Sequence, residues 1–146
     1  MQLPNNAFVV VADGRKMLFL RNEGDAEYPN LQVERVREQD NPSDMEQSTD
    51  APGRSFSSVG AGRSAYEETD FHQLEEDRFA AETADLLKKR ALRNDFEKLI
   101  IVAPPKALGE LRKHYHKEVS ERLIGEIDKD LTGHTVTEIE EALVKA

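Results

Sequence analysis

The apolar positions fall into a few sharply bounded runs. Ala7 to Ala12 is continuous and largely β-branched, which predicts a strand buried on both faces. Lys16-Met17-Leu18-Phe19-Leu20 follows after Asp13-Gly14. A short Asp-Gly link between apolar runs predicts a type I′ hairpin, because both residues tolerate positive φ. Leu31 to Val36 alternates imperfectly, as a half-exposed edge strand that accommodates a bulge would. From Glu38 to about Tyr66 apolar periodicity is lost, and Pro42, Pro52, Gly53, Gly60 and Gly62 break any regular element, so a long loop is expected.

Two capping-box patterns close that loop, Ser64 with Glu67 and Asp70 with Gln73, and either can start the helix that follows. This helix is expected to reach about Asn94, with Phe79, Ala80, Thr83, Ala84, Leu86, Leu87 and Ala91 on one broad face. Leu99 to Ala103 is a second fully apolar strand. Pro104-Pro105 opens a helix with Leu108, Leu111 and Tyr115 at i, i+3 and i+7. Arg122 to Ile127 reads as a further buried strand, and Thr135 with Glu138 caps a last helix carrying Val136, Ile139 and Leu143.

The resulting order is β-β-β-α-β-α-β-α. Strands joined through a helix prefer parallel neighbours and right-handed crossovers, so the last two strands extend the sheet beyond the first. The expectation is a mixed α/β fold of ribonuclease H-like type with a five-stranded sheet of order 3-2-1-4-5. Ligands in such sheets sit at the carboxyl ends of the central strands. Those ends present Asp13, Ala103-Pro104 and Asp128-Lys129-Asp130.

Composition sets the class. The chain of 146 residues has the size of one domain, here read as 1–146 with a long loop at about 38–66. It carries 29 acidic against 20 basic residues, so most of its surface repels nucleic acid and any such contact must be local. The absence of cysteine removes disulfides and thiol chemistry and suits a reducing compartment. The first residues show no basic segment, and Ala7 to Ala12 is too short for a signal peptide or a membrane span. A cytoplasmic protein without a membrane span is expected. No oligomeric state follows from the pattern.

Candidate chemistry is sparse. Asp13, Asp128 and Asp130 could together hold a divalent metal for nuclease chemistry, but the strand ending at Ala103 supplies no acid. Asp13 is therefore read as a turn residue and the other two as solvated loop acids. His114 and His116 flank Tyr115, but two imidazoles without a third ligand make a poor metal site, and both are read as residues at a helix C-terminus. His72 and His134 stand near helix starts without a nucleophile partner. No catalytic residue, metal or cofactor is expected.

The long loop changes sign along its length. Gln39 to Asp50 holds four acids and no base, whereas Ala51 to Tyr66 holds Arg54 and Arg63 and no acid. Gly60-Ala61-Gly62-Arg63-Ser64 lacks the third glycine of a dinucleotide fingerprint and the Gly-Lys-Ser/Thr ending of a P-loop. What survives is a weakly cationic contact tip of Arg54, Phe56, Gly60, Gly62, Arg63, Ser64 and Tyr66, able to meet phosphates and stack a base.

Leu99 to His114 (LIIVAPPKALGELRKH), Glu126 to Thr132 (EIDKDLT), Pro52 to Phe56 (PGRSF) and Asp77 to Ala80 (DRFA) resemble bacterial host attachment proteins, a family named as required for attachment to host cells. That family is similar, distantly, to the middle domain of archaeal and eukaryotic peptide-chain release factors. The resemblance implies a ribonuclease H-like fold and a translation-related role. In the release factors a Gly-Gly-Gln loop between the third strand and the first long helix enters the peptidyl-transferase centre. Here that interval carries Gly62-Arg63 and no glutamine at its tip, so hydrolysis is not implied. The implied partners are the ribosome or tRNA, or else a protein partner through which attachment is affected indirectly.

Overall fold

The computed structural model describes residues 1–38 and 61–146, with side chains for 1–38 and 71–146. Five strands form one sheet: β1 (Phe8–Ala12), β2 (Lys16–Asn22), β3 (Leu31–Glu38), β4 (Leu99–Val102) and β5 (Leu123–Ile127), in the order β3-β2-β1-β4-β5. β1 pairs antiparallel with β2 and parallel with β4, with Phe8 opposite Leu99 and Val11 opposite Val102. The parallel β4–β5 pair completes the mixed sheet. The architecture and strand order are those expected from the sequence.

β1 and β4 are buried along their whole length, which is why both read as unbroken apolar runs. Alternate residues supply two cores. On one face Phe8, Val10, Phe19 and Ile101 meet α1 (Ala61–Leu92), α2 (Pro105–Arg112) and α3 (Lys117–Arg122). On the other, Val9, Val11, Leu20 and Ile100 meet Leu3, Leu131 and α4 (Val136–Lys145) through Ile139 and Leu143. α4 starts with the expected capping box: Glu138 N–H donates to Thr135 Oγ1 at 3.2 Å and Thr135 N–H donates to Glu138 Oε1 at 2.9 Å.

Local differences from the expected elements have identifiable causes. The β1–β2 turn is not type I′, since Gly14 and Arg15 have no positive φ. Asp13 Oδ1 instead accepts the N–H groups of Arg15 at 2.7 Å and Lys16 at 2.6 Å, so a carboxylate shapes the turn. α1 begins at Ala61, ahead of both capping boxes and of the expected loop end at Tyr66. Ser64, Ala65, Glu67 and Glu68 are all compatible with a helix interior, so the boxes do not force a start. α1 ends in a Schellman arrangement: Asn94, at φ 58°, donates to Ala91 O and Asp95 N–H reaches back to Arg90 O.

The six-residue α3 was not expected, and it changes the reading of the histidines. His114 follows α2, whereas His116 is the N-cap of α3, its Nδ1 accepting the Glu118 N–H at 3.0 Å. β5 is an edge strand with Ile124 exposed, not a buried one, and its register shifts beside Ile124. β3 carries the bulge that its broken alternation suggested. Phe19 faces Arg35 and Leu20 faces Val33, which leaves Glu34 as the extra residue.

Candidate functional site

The carboxyl ends of β1 and β4 open into a cleft of about 200 Å³ beneath the middle of α1 and beside α2. Ala12, Phe79, Ala80, Pro104, Ala107 and Leu111 make its apolar floor. Its mouth is charged, with Asp13, Glu76 and Glu110 against Lys106. Two of these acids are half-buried, since the Glu76 and Glu110 side chains are 28% and 16% exposed. Lys106 Nζ reaches across from α2 to Glu76 Oε2 at 3.4 Å, and Lys113 Nζ donates to Glu110 Oε1 at 3.2 Å. On α1 next to Glu76, Asp77 accepts from Gln73 Nε2 at 3.1 Å through its Oδ1.

Gly14 packs closely against the Glu76 side chain at this mouth. A Cβ on Gly14 would stand 3.1 Å from Glu76 Cγ and Cδ, while the backbone there has no positive φ that would itself demand glycine. Thr83, on the buried face of α1, satisfies its hydroxyl locally by donating to Phe79 O at 2.8 Å.

Asp13 and Asp130 converge on one hydroxyl. Asp13 Oδ1 is committed to the turn, and the Thr132 hydroxyl lies 3.0 Å from Asp13 Oδ2 and 2.8 Å from Asp130 Oδ1. One hydroxyl proton serves one of these acceptors at a time, so Thr132 is a shared donor between two acids. Asp128 is exposed and outside this contact. Among the described residues no group of three or more His, Cys, Asp or Glu is arranged to hold a metal ion.

The opposite, amino-terminal end of the β1–β4 pair is charged in another way. Glu34, thrust out by the bulge, accepts from Arg21 Nε at 3.0 Å and Arg90 Nη2 at 3.0 Å. Both guanidiniums lie over the Phe8 ring, Arg90 at 4.5 Å and Arg21 at 5.2 Å from its centroid, and Phe8 itself stacks on Phe96 at 5.1 Å. Burial would raise the Glu34 pKa, but the two arginines override it and hold the carboxyl below the ordinary value. Further along β3, Arg35, Arg37 and Arg78 line an open groove against α1 in which Arg37 is paired with Glu82.

Of the contact tip expected from the sequence, Arg54, Phe56 and Gly60 lie outside the described residues. Gly62, Arg63, Ser64 and Tyr66 belong to the first turns of α1, where only the backbone is described. The tip thus spans the interval after β3 and the start of the long helix.

The model of bacterial archaeo-eukaryotic release factor family 12 matches residues 6–143. The chain belongs to this family. No curated protein matches it. The family 12 match runs from just before β1 to the last turn of α4, so it takes in every strand of the sheet. No helix among the described residues is long and apolar enough to cross a membrane.

Sequence reasoning missed most of what this family 12 chain assembles at the two ends of its central strands. Glu34 carried a signal, since it is the residue at which the alternation of β3 breaks. Gly14, Glu76, Lys106 and Glu110 carried none, because they meet only when α1 and α2 are laid over the ends of β1 and β4.

Proposed function

We propose that this family 12 chain is a non-catalytic module that associates with the ribosome or tRNA through the stretch from Arg54 to Tyr66. The observation that carries the reading is the family match over residues 6–143. It is supported by the position of the stretch along the chain, which follows β3 and runs into the first turns of α1, where release-factor middle domains hold the Gly-Gly-Gln loop between the third strand and the first long helix. Gly60-Ala61-Gly62-Arg63 contains no glutamine, so the reading is of contact without peptidyl-tRNA hydrolysis. Arg54 and Arg63 would meet phosphates, and Phe56 and Tyr66 would stack on bases.

The contact has to be small, because a net charge of −9 opposes RNA elsewhere. With two arginines on single-stranded RNA, log K should fall against log salt with a slope of about −1.4. Co-sedimentation with ribosomes at modest salt tests it. Wild type should pellet with ribosomes, and a variant carrying Arg54→Ala and Arg63→Ala should stay largely in the supernatant. Equal behaviour of the two removes the stretch from the contact.

A second reading is a regulatory protein-interaction domain that affects attachment to host cells indirectly, favoured by the acid-rimmed cleft at the carboxyl end of the sheet. Affinity capture of one protein partner, retained after ribosomes are removed, would support it. A metal-dependent nuclease would instead show cleavage that disappears in Asp13→Ala.

A further inference from the structure

The cleft between the ends of β1 and β4 and the middle of α1 is too small for a cofactor. Small-molecule sites usually run to about 300–1,000 Å³. At about 200 Å³ this one has room for a single side chain. Its floor of Phe79, Ala80 and Ala107 suits an aliphatic stem, and its mouth sets three carboxylates against Lys106, with Lys113 paired to Glu110 from outside the lining. That mixture selects a side chain that is apolar along its length and cationic at its end. A phosphate or an acidic peptide would meet Asp13, Glu76 and Glu110 first.

The chain already supplies one such group. Lys106, with its side chain 66% exposed, spans the mouth to Glu76 at 3.4 Å. An ion pair this long and exposed is weak, worth about 0–1 kcal/mol, so another cation can replace it readily. Gly14 in turn leaves the space in which the Glu76 carboxylate waits.

We propose that this cleft receives a lysine or arginine side chain from a basic peptide segment, its stem on Phe79, Ala80 and Ala107 and its cation displacing Lys106 from Glu76. The proposal does not depend on the ribosome reading: it concerns the carboxyl end of the sheet and an acidic surface, not the arginine-bearing stretch. A basic tail of any protein partner would satisfy it.

The test is a titration of the full-length, 15N-labelled chain at low ionic strength with two peptides, acetyl-Lys-Leu-Lys-amide and acetyl-Glu-Leu-Glu-amide, followed at the backbone amides of Gly14, Ala80 and Ala107. The lysine peptide should shift these amides saturably and the glutamate peptide should not. Glu76→Gln should raise Kd about fivefold, the equivalent of one weak ion pair. Lys106→Met should lower Kd about threefold, because the internal competitor is gone. Gly14→Ala, which crowds Glu76 without straining the backbone, should weaken binding while the chain melts as wild type. The opposed directions of the first two variants are the discriminating result. The proposal is overturned if Lys106→Met weakens binding as Glu76→Gln does, if the two peptides bind alike, or if the shifts spread over the acidic surface without saturating at the cleft.

Discussion

The two ends of the β1–β4 pair are built from the same kinds of residue and use them in opposite ways. At the amino-terminal end Glu34, Arg21 and Arg90 are drawn together over Phe8, and the arginine side chains are only 18% exposed. At the carboxyl end the Lys106–Glu76 pair is longer and far more exposed, and an open cleft lies under it. Charge that is half-buried, bidentate and stacked on aromatic rings stabilises a fold, whereas charge held loosely over a cavity contributes little to it and stays available. The first end ties β2, β3 and α1 to the centre of the sheet. The second keeps acids at the place where open α/β sheets bind their ligands.

The largest effect should come from removing the ring on which the amino-terminal end is assembled. Phe8 is fully buried, edge-on to Phe19 at 5.2 Å, stacked on Phe96 and covered by two guanidiniums. Phe8→Ala should cost about 3–5 kcal/mol, transfer and cavity together. For a domain of this size that lowers Tm by roughly 10 °C. A urea melt reads it directly, with an unchanged slope showing that the loss is in stability and not in the denatured ensemble. A loss under about 1 kcal/mol would mean that the arginines and Phe96 close over the gap, and the two ends would no longer differ in kind.

A smaller effect, and a sharper one, concerns the charge at the same end. Glu34 is held below its ordinary pKa because hydrogen bonds and charge from Arg21 and Arg90 outweigh its desolvation. A carboxyl depressed in the folded state contributes stability that is fully present above its unfolded value, about 4.3, and is lost as pH falls through the folded one. Glu34→Gln keeps the shape and removes the charge. It should be less stable than wild type near neutrality by about 1 kcal/mol, since the pair is partly solvated. The difference should shrink steadily in melts below about pH 4.3. A gap independent of pH would assign the contribution of Glu34 to packing alone.

The same contrast explains what could be read from the residues. β1 and β4 were legible because strands buried on both faces need unbroken apolar runs, and Phe8 to Ala12 and Leu99 to Val102 have them. The order 3-2-1-4-5 followed from the turn after β1 and the helical connections around β4. Even the bulge left its mark, as a glutamate out of step in β3. α3 left none, since six residues give no helical period, and its His116 cap looks in sequence like a stray metal ligand. The start of α1 at Ala61 was obscured by two later capping patterns that a continuing helix tolerates equally well. The cleft was the least legible feature. Residues 14 and 76 are far in the chain from each other and from the one-turn pair 106 and 110, and none is unusual for its own element: a turn glycine, a helix-surface glutamate, a lysine in a first helical turn and another surface glutamate.

The smallest expected effect is the one that separates the two ends most cleanly. If the carboxyl-end charges are held for a ligand and not for the fold, neutralising them should leave stability nearly untouched. Glu76→Gln removes the partner of Lys106, and Lys106→Met removes the partner of Glu76 while keeping an apolar stem of similar length. Each should shift stability by no more than about 0.5 kcal/mol, the range of surface substitutions, whatever it does to peptide binding. Paired urea melts of the two variants against Glu34→Gln, made at the same pH and salt, put both ends on one scale. Should Glu76→Gln cost as much as Glu34→Gln, the Lys106 bridge would be a structural clasp between α1 and α2, and the cleft beneath it would lose its claim to an external cation.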